Sequence, residues 1–148
     1  DENNIEKSVT YNNDINKIKN IKFEIAKRNI ISSTGLIIRK KSFIDVGGYT
    51  DKFRNYGEWH LWIKLLSIGD CKYSAKSKAY YRRHNSNITN TFHNRKTKIE
   101  LIKYYNYSRK EAFKKYYNEF TLSEKAKFLT YYNNTRLKSY VSMLITKT

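Results

Sequence analysis

The residues whose types and spacing could do chemistry lie between positions 47 and 84. Glu58 heads the run Glu58-Trp59-His60-Leu61-Trp62. A carboxylate in the first turn of a helix is favoured by the helix dipole, and a carboxylate can serve as a proton acceptor. Trp59, next to it, could restrict solvent. His84 closes Tyr81-Arg82-Arg83-His84. Neutral imidazole ligates divalent metals, and guanidinium groups pair with phosphate. Gly47-Gly48 lets a backbone come close to a ligand. Each residue also has a plainer reading. Glu58 can be a helix-terminal acid, Trp59 and Trp62 core residues, Gly47-Gly48 a helix C-cap, and His84 a surface group. His93 has no motif around it and reads as surface.

These groups need elements to position them. Trp59, Trp62, Ile63 and Leu66 share one helical face, so residues 58–68 read as a helix ended by Gly69. Residues 40–46 read as a short helix closed by Gly47-Gly48. Leu36-Ile37-Ile38 is a short apolar run, so residues 34–39 read as a buried strand. Residues 71–74 and 79–83 read as two more short strands. Arg82 and Arg83 would alternate across the last, leaving one of them to face a ligand. Ahead of these, Ile15, Ile18, Ile21 and Ile25 recur at helical spacing after Asp14, a candidate N-cap, and the helix should end near Asn29. Residues 1 to about 13 are polar and read as a frayed end.

Beyond residue 91 there is no glycine. Ile99, Ile102, Tyr105, Ala112, Tyr116 and Phe120 predict one helix or a broken pair. Thr121-Leu122-Ser123-Glu124 fits the capping-box pattern ahead of another helix.

Composition bounds the function. The 148 residues carry 30 Lys+Arg against 13 Asp+Glu, a net charge of +17, with 39% hydrophobic and 16% aromatic residues. Such a chain folds, and its charge suits anionic partners. Abundant Lys, Asn, Ile and Tyr with no Pro also fit an AT-rich coding bias, which weakens the charge as a sign of binding. One cysteine, Cys71, excludes an internal disulfide and reads as a half-buried small residue. No stretch reaches the ~20 apolar residues of a spanning helix. Asp1-Glu2-Asn3-Asn4 does not read as a signal peptide. The reading is therefore cytoplasmic, with the option of a peripheral place on the inner membrane face.

Four motifs stand in a set order. They are Ser33-Thr34-Gly35 with Arg39; Phe43 with Val46-Gly47-Gly48-Tyr49, then Asp51 and Phe53; Gly57-Glu58-Trp59-His60-Leu61-Trp62; and Tyr81-Arg82-Arg83-His84 with Asn85 to Ile88. Each is weak alone, but their joint order and spacing are specific. Together they resemble the C-terminal half of the catalytic domain of family 2 glycosyltransferases, enzymes of GT-A fold. The resemblance covers residues 31–89 well and 14–30 loosely. It implies an α/β class: an α+β portion of a GT-A domain over residues 1–91, then a basic α-helical tail over 92–148. It implies sugar transfer from a nucleotide-diphosphate sugar to a hydroxyl on a glycan or lipid-linked acceptor, in cell-surface polysaccharide or lipid-linked glycan synthesis. Glu58 falls at the family's catalytic base. Gly47, Gly48, Trp59, His60 and Arg82 fall at substrate-binding positions. His84 falls where many GT-A enzymes contact the divalent metal, Mn²⁺ or Mg²⁺, or the diphosphate.

The chain also departs from the family. Gly57 replaces the first acid of the family's pair, Glu58 is Glu rather than Asp, and His60 replaces an Asp. No Asp-x-Asp triplet occurs, nor do the strands of the nucleotide-binding half. The expectation is a C-terminal piece of a longer enzyme that alone binds nucleotide-sugar poorly and turns over little or nothing. Two other readings compete. The tail interleaves Tyr and Lys, which suits a basic nucleic-acid-binding module, although no nucleic-acid motif is visible and no specific nucleic acid is expected. The tail carries 13 Lys+Arg against 4 Asp+Glu, so its helices could also lie on an anionic membrane surface.

Overall fold

A computed structural model describes residues 15–50, 52, 57–74, 76, 79–80 and 95–145. Among them every regular element is helical. A 3₁₀ turn over Ile15–Lys17 precedes α1, Ile21–Lys27. Then come α2, Lys40–Asp45, and α3, Glu58–Leu66. The long α4, Arg95–Tyr116, runs into a 3₁₀ turn over Tyr117–Glu119 and then α5, Leu122–Ile145.

The α/β expectation is thereby corrected: no strand occurs among the described residues. The physical reason lies in what the extended segments find beside them. A strand exists through ladder bonds to a neighbour. Residues 36–39 form no ladder, and a turn at Ser33–Gly35 precedes them, closed by Leu36 N–H on the Ser33 carbonyl at 3.4 Å, with Gly35 at φ +78°. Leu36 and Ile38 pack on the core while Ile37 is 95% exposed, so the apolar run alternates without gaining a partner. At residues 71–74 a side chain takes the ladder's place. The Asn16 amide donates to the Tyr73 carbonyl at 2.9 Å and accepts from the Tyr73 N–H at 3.0 Å. Residues 79 and 80 carry no ladder either, and 81–83 lie outside the described residues.

The helices follow their local signals. In α1, Asn20 is the N-cap, its Oδ1 accepting from Phe23 N–H at 3.0 Å. That cap splits the helix expected from Asp14 to Asn29, because an Asn side chain competes for backbone N–H groups. The Asp14 cap lies outside the described residues. In α2, the predicted C-terminal closure is a Schellman motif. Gly48 N–H reaches the Phe43 carbonyl at 2.9 Å, Gly47 N–H reaches that of Ile44 at 2.9 Å, and Gly47 has φ +72°. The predicted capping box opens α5. Thr121 N–H donates to Glu124 Oε2 at 2.9 Å, and Glu124 N–H donates to Thr121 Oγ1 at 3.2 Å.

One apolar core joins these helices. It contains Phe23, Ile25 and Ala26 of α1, Trp59, Leu61, Trp62, Ile63 and Leu66 of α3, Tyr104, Ala112 and Tyr116 of α4, and Phe128 and Tyr132 of α5. Phe113 and Phe128 stack at 4.4 Å between centroids where α4 meets α5. Phe23 meets Phe120 edge-on at 5.6 Å. The Tyr116 hydroxyl donates to the Ile63 carbonyl, and burial holds its phenol well above the usual tyrosine range.

The capping box yields a pH prediction. Asn20 Nδ2 also donates to Glu124 Oε1 at 2.9 Å, tying α1 to the start of α5. The Thr121 N–H, then the Asn20 and Thr121 side chains, hold the Glu124 carboxyl below its ordinary 4.5. A folded pKa below the unfolded one adds stability above the unfolded value and loses it as pH falls. Chemical denaturation of wild type and Glu124→Gln should therefore differ at neutral pH and converge as pH drops below 4.5. Thr121→Ala should cost about 1 kcal/mol at neutral pH. A gap that persists unchanged at low pH would show that the carboxylate charge plays no part.

Candidate functional site

Glu58 is the first residue of α3 and is half-buried. The helix begins at Gly57, which has no capping side chain, so the early N–H groups need other partners. The Tyr104 hydroxyl of α4 accepts from the His60 N–H at 3.3 Å, and burial pushes the Tyr104 phenol up to about 12. The turn after α2 brings Tyr49 into the field of Glu58. Burial, and then the Glu58 charge, hold the Tyr49 phenol above its ordinary 10.0.

The Gly47-Gly48 turn is braced from α3. Lys64 donates to the Val46 carbonyl at 2.9 Å and to the Gly48 carbonyl at 2.6 Å. A cation on the carbonyls that end α2 suits that helix's dipole. Burial, with Lys115 nearby, lowers the Lys64 pKa. The two glycines differ. A Cβ on Gly48 would meet the Phe43 ring at 2.9 Å, whereas one on Gly47 would meet nothing within 4 Å. Gly47 therefore presents open backbone, and Gly48 is backed by Phe43.

His60 sits on the α4 side of Glu58, its ring 6.0 Å from that of Tyr107. Lys52 lies over the Tyr107 ring, its Nζ 3.8 Å from the centroid. Burial first, then Lys64, hold the His60 pKa below 6.5, with Glu111 opposing. The imidazole is thus neutral at pH 7. Trp59 points the other way. It is 2% exposed, and its indole N–H donates to the Ile25 carbonyl at 2.7 Å. Tyr104, Tyr105 and the Arg109 guanidinium enclose its ring. Of the motif around Glu58, this leaves Glu58 and His60 nearer the surface.

The structure places Glu58 and His60 on the first turn of α3 and ties the Gly47-Gly48 turn to the last turn of that helix through Lys64. Arg82 and His84 lie outside the described residues. Among the described residues no group of three or more His, Cys, Asp or Glu could hold a metal ion. The divalent cation implied by the resemblance finds no donor set among them. No helix among the described residues is long and apolar enough to cross a membrane.

Sequence reasoning missed Lys64, Tyr104 and Tyr107. Lys64 carries a weak signal, since it is a cation on a largely apolar helix. The two tyrosines carry none, because nothing local ties residues 104 and 107 to residue 60.

Compared with known proteins, the chain matches no family model, no curated protein and no solved structure.

Proposed function

We propose that the chain serves a family 2 glycosyltransferase reaction, transferring a sugar from a nucleotide-diphosphate donor to a hydroxyl acceptor. In this reading Glu58 takes the acceptor proton. The observation that carries it is Glu58 on the first turn of α3, half-buried, with its charge acting on the Tyr49 phenol, two residues after the open backbone of Gly47. These residues belong to two of the four motifs that carry the resemblance.

Each group has a role. The carboxylate withdraws the proton as the hydroxyl oxygen attacks the anomeric carbon, and the nucleoside diphosphate leaves with the bonding electrons. Neutral His60 can donate or accept a hydrogen bond to an acceptor hydroxyl without adding charge.

The test is acceptor binding, followed by amide NMR with oligosaccharides and glycolipid headgroups. One acceptor class should shift the amides of Tyr49, Glu58 and His60 together. Glu58→Gln should keep that footprint. In any preparation competent for transfer, the same change should lower the rate by about 10²- to 10⁴-fold. If no acceptor perturbs the start of α3, or if Glu58→Gln transfers at the wild-type rate, the assignment fails.

A further inference from the structure

A concave feature lies between α4 and α5. Lys103, Tyr107 and Lys110 line it from α4, and Tyr132, Arg136 and Tyr140 line it from α5, enclosing about 280 Å³. These positions follow the helical repeat on both sides. Lys103 and Lys110 stand two turns apart on one face, about 10 Å along the axis. Arg136 faces them, its guanidinium 5.5 Å from the Tyr140 ring centroid and Nη2 3.5 Å from the Tyr140 hydroxyl. No carboxylate lines the cleft, and no ion pair among the described residues engages Lys103, Lys110 or Arg136.

We propose that this cleft binds a small phosphate ester carrying a flat ring, a ligand of nucleotide size. The charge argument is direct. Three cations converge on one concavity with no acid to neutralise them, and a guanidinium fork matches phosphate oxygens. Tyr140, which is 49% exposed, provides the ring surface, and aromatic stacking on such a platform is worth about 1–3 kcal/mol per base.

Size and shape choose among anionic partners. At about 280 Å³ the open cleft lies just below the ~300 Å³ at which ligand clefts typically begin, so it has room for the phosphate and ring of one small molecule that stays partly in solvent, and not for a longer chain. A flat bilayer would instead meet the outward apolar residues of α5, Leu122, Leu129 and Leu137, which are exposed and do not line the cleft. The site contains none of the residues assigned to sugar transfer, so it stands or falls independently of that role.

The test is titration calorimetry of the full chain with ADP, AMP and pyrophosphate, in phosphate-free buffer at moderate salt. ADP should bind saturably at one site. Arg136→Gln, and Lys103→Gln with Lys110→Gln, should each weaken ADP about tenfold or more. Tyr140→Ala should weaken ADP while leaving pyrophosphate nearly unchanged. Lys114→Gln with Lys127→Gln removes equal charge from exposed positions elsewhere and should leave ADP binding nearly intact. All these side chains are exposed, and circular dichroism checks that each variant folds. The proposal is overturned if ADP does not saturate, or if the Lys114/Lys127 pair loses as much affinity as the cleft variants. It is overturned equally if only oligo(dT) or phosphatidylglycerol vesicles bind.

Discussion

Trp59→Ala should destabilise the chain by about 4–6 kcal/mol, a large share of the ~5–15 kcal/mol that holds a domain together. The side chain is among the largest that are fully buried. Truncating a buried Trp costs about 3–5 kcal/mol through lost transfer energy and the cavity left behind. A further ~1 kcal/mol follows because the Ile25 carbonyl loses its indole donor at 2.7 Å. Three partners lose contact at once: the rings of Tyr104 and Tyr105, at 6.3 and 5.7 Å, and the Arg109 guanidinium. Urea denaturation followed by circular dichroism measures the loss. Trp59→Phe should fall between wild type and Ala, since it keeps ring packing and loses the indole donor. Leu122→Ala should change little, because Leu122 is 84% exposed. A loss below ~2 kcal/mol for Trp59→Ala would mean that α3 is not anchored through this residue.

Arg109→Met should cost about 2–4 kcal/mol, the sum of a charge-assisted hydrogen bond at ~1.5–3 kcal/mol and cation–π contacts at ~0.5–1 kcal/mol. Arg109 is 8% exposed. Its Nε donates to the Lys27 carbonyl at 2.9 Å, where α1 ends. Its guanidinium lies 5.6, 5.9 and 5.8 Å from the rings of Trp59, Tyr105 and Tyr131. One side chain of α4 therefore touches α1, α3 and α5. Methionine fills much of the same volume but leaves the Lys27 carbonyl without its donor. Arg109→Lys should recover only part of the loss, because a point charge lacks the planar stack. Thermal melts of the three proteins should rank wild type, Lys, then Met. Melting of the Met variant at the wild-type temperature would remove the pinning role.

The two variants also bear on the site. Glu58 adjoins Trp59 in α3, and the same tyrosine that packs against Trp59 accepts the His60 N–H. The start of α3 is therefore placed by α1 and α4 together. Destabilising that junction would loosen Glu58 and His60 even though neither is altered.

Part of this fold is legible in short stretches of sequence. The apolar face of α3, the Gly-Gly closure of α2 and the Thr121–Glu124 box all act within a few residues, and each forms as its residues predict. The same locality explains the failures. Leu36-Ile37-Ile38 has the composition of a strand, but composition cannot supply a neighbour to pair with. The run stays without a ladder. Tyr73 meets an asparagine 57 positions away instead of a ladder. For the candidate site, the place of Glu58 on the first turn of α3 is legible from spacing. The surroundings of His60 beside it are not, because Tyr104 and Tyr107 reach it from more than forty residues downstream.

The sequence by itself determined α3, the Gly-Gly closure of α2, the Thr121–Glu124 box and the chemical types present between positions 47 and 60, because periodicity and capping are short-range; it did not place the Asn20 cap of α1. The tertiary structure alone decided three things. The described residues of the expected strands stay without a ladder, Trp59 turns into the core rather than toward a ligand, and α4 and α5 join their cations and tyrosines in one cleft. Each depends on which distant segments pack together, and burial and pairing free energies are set by those partners rather than by any local run of residues.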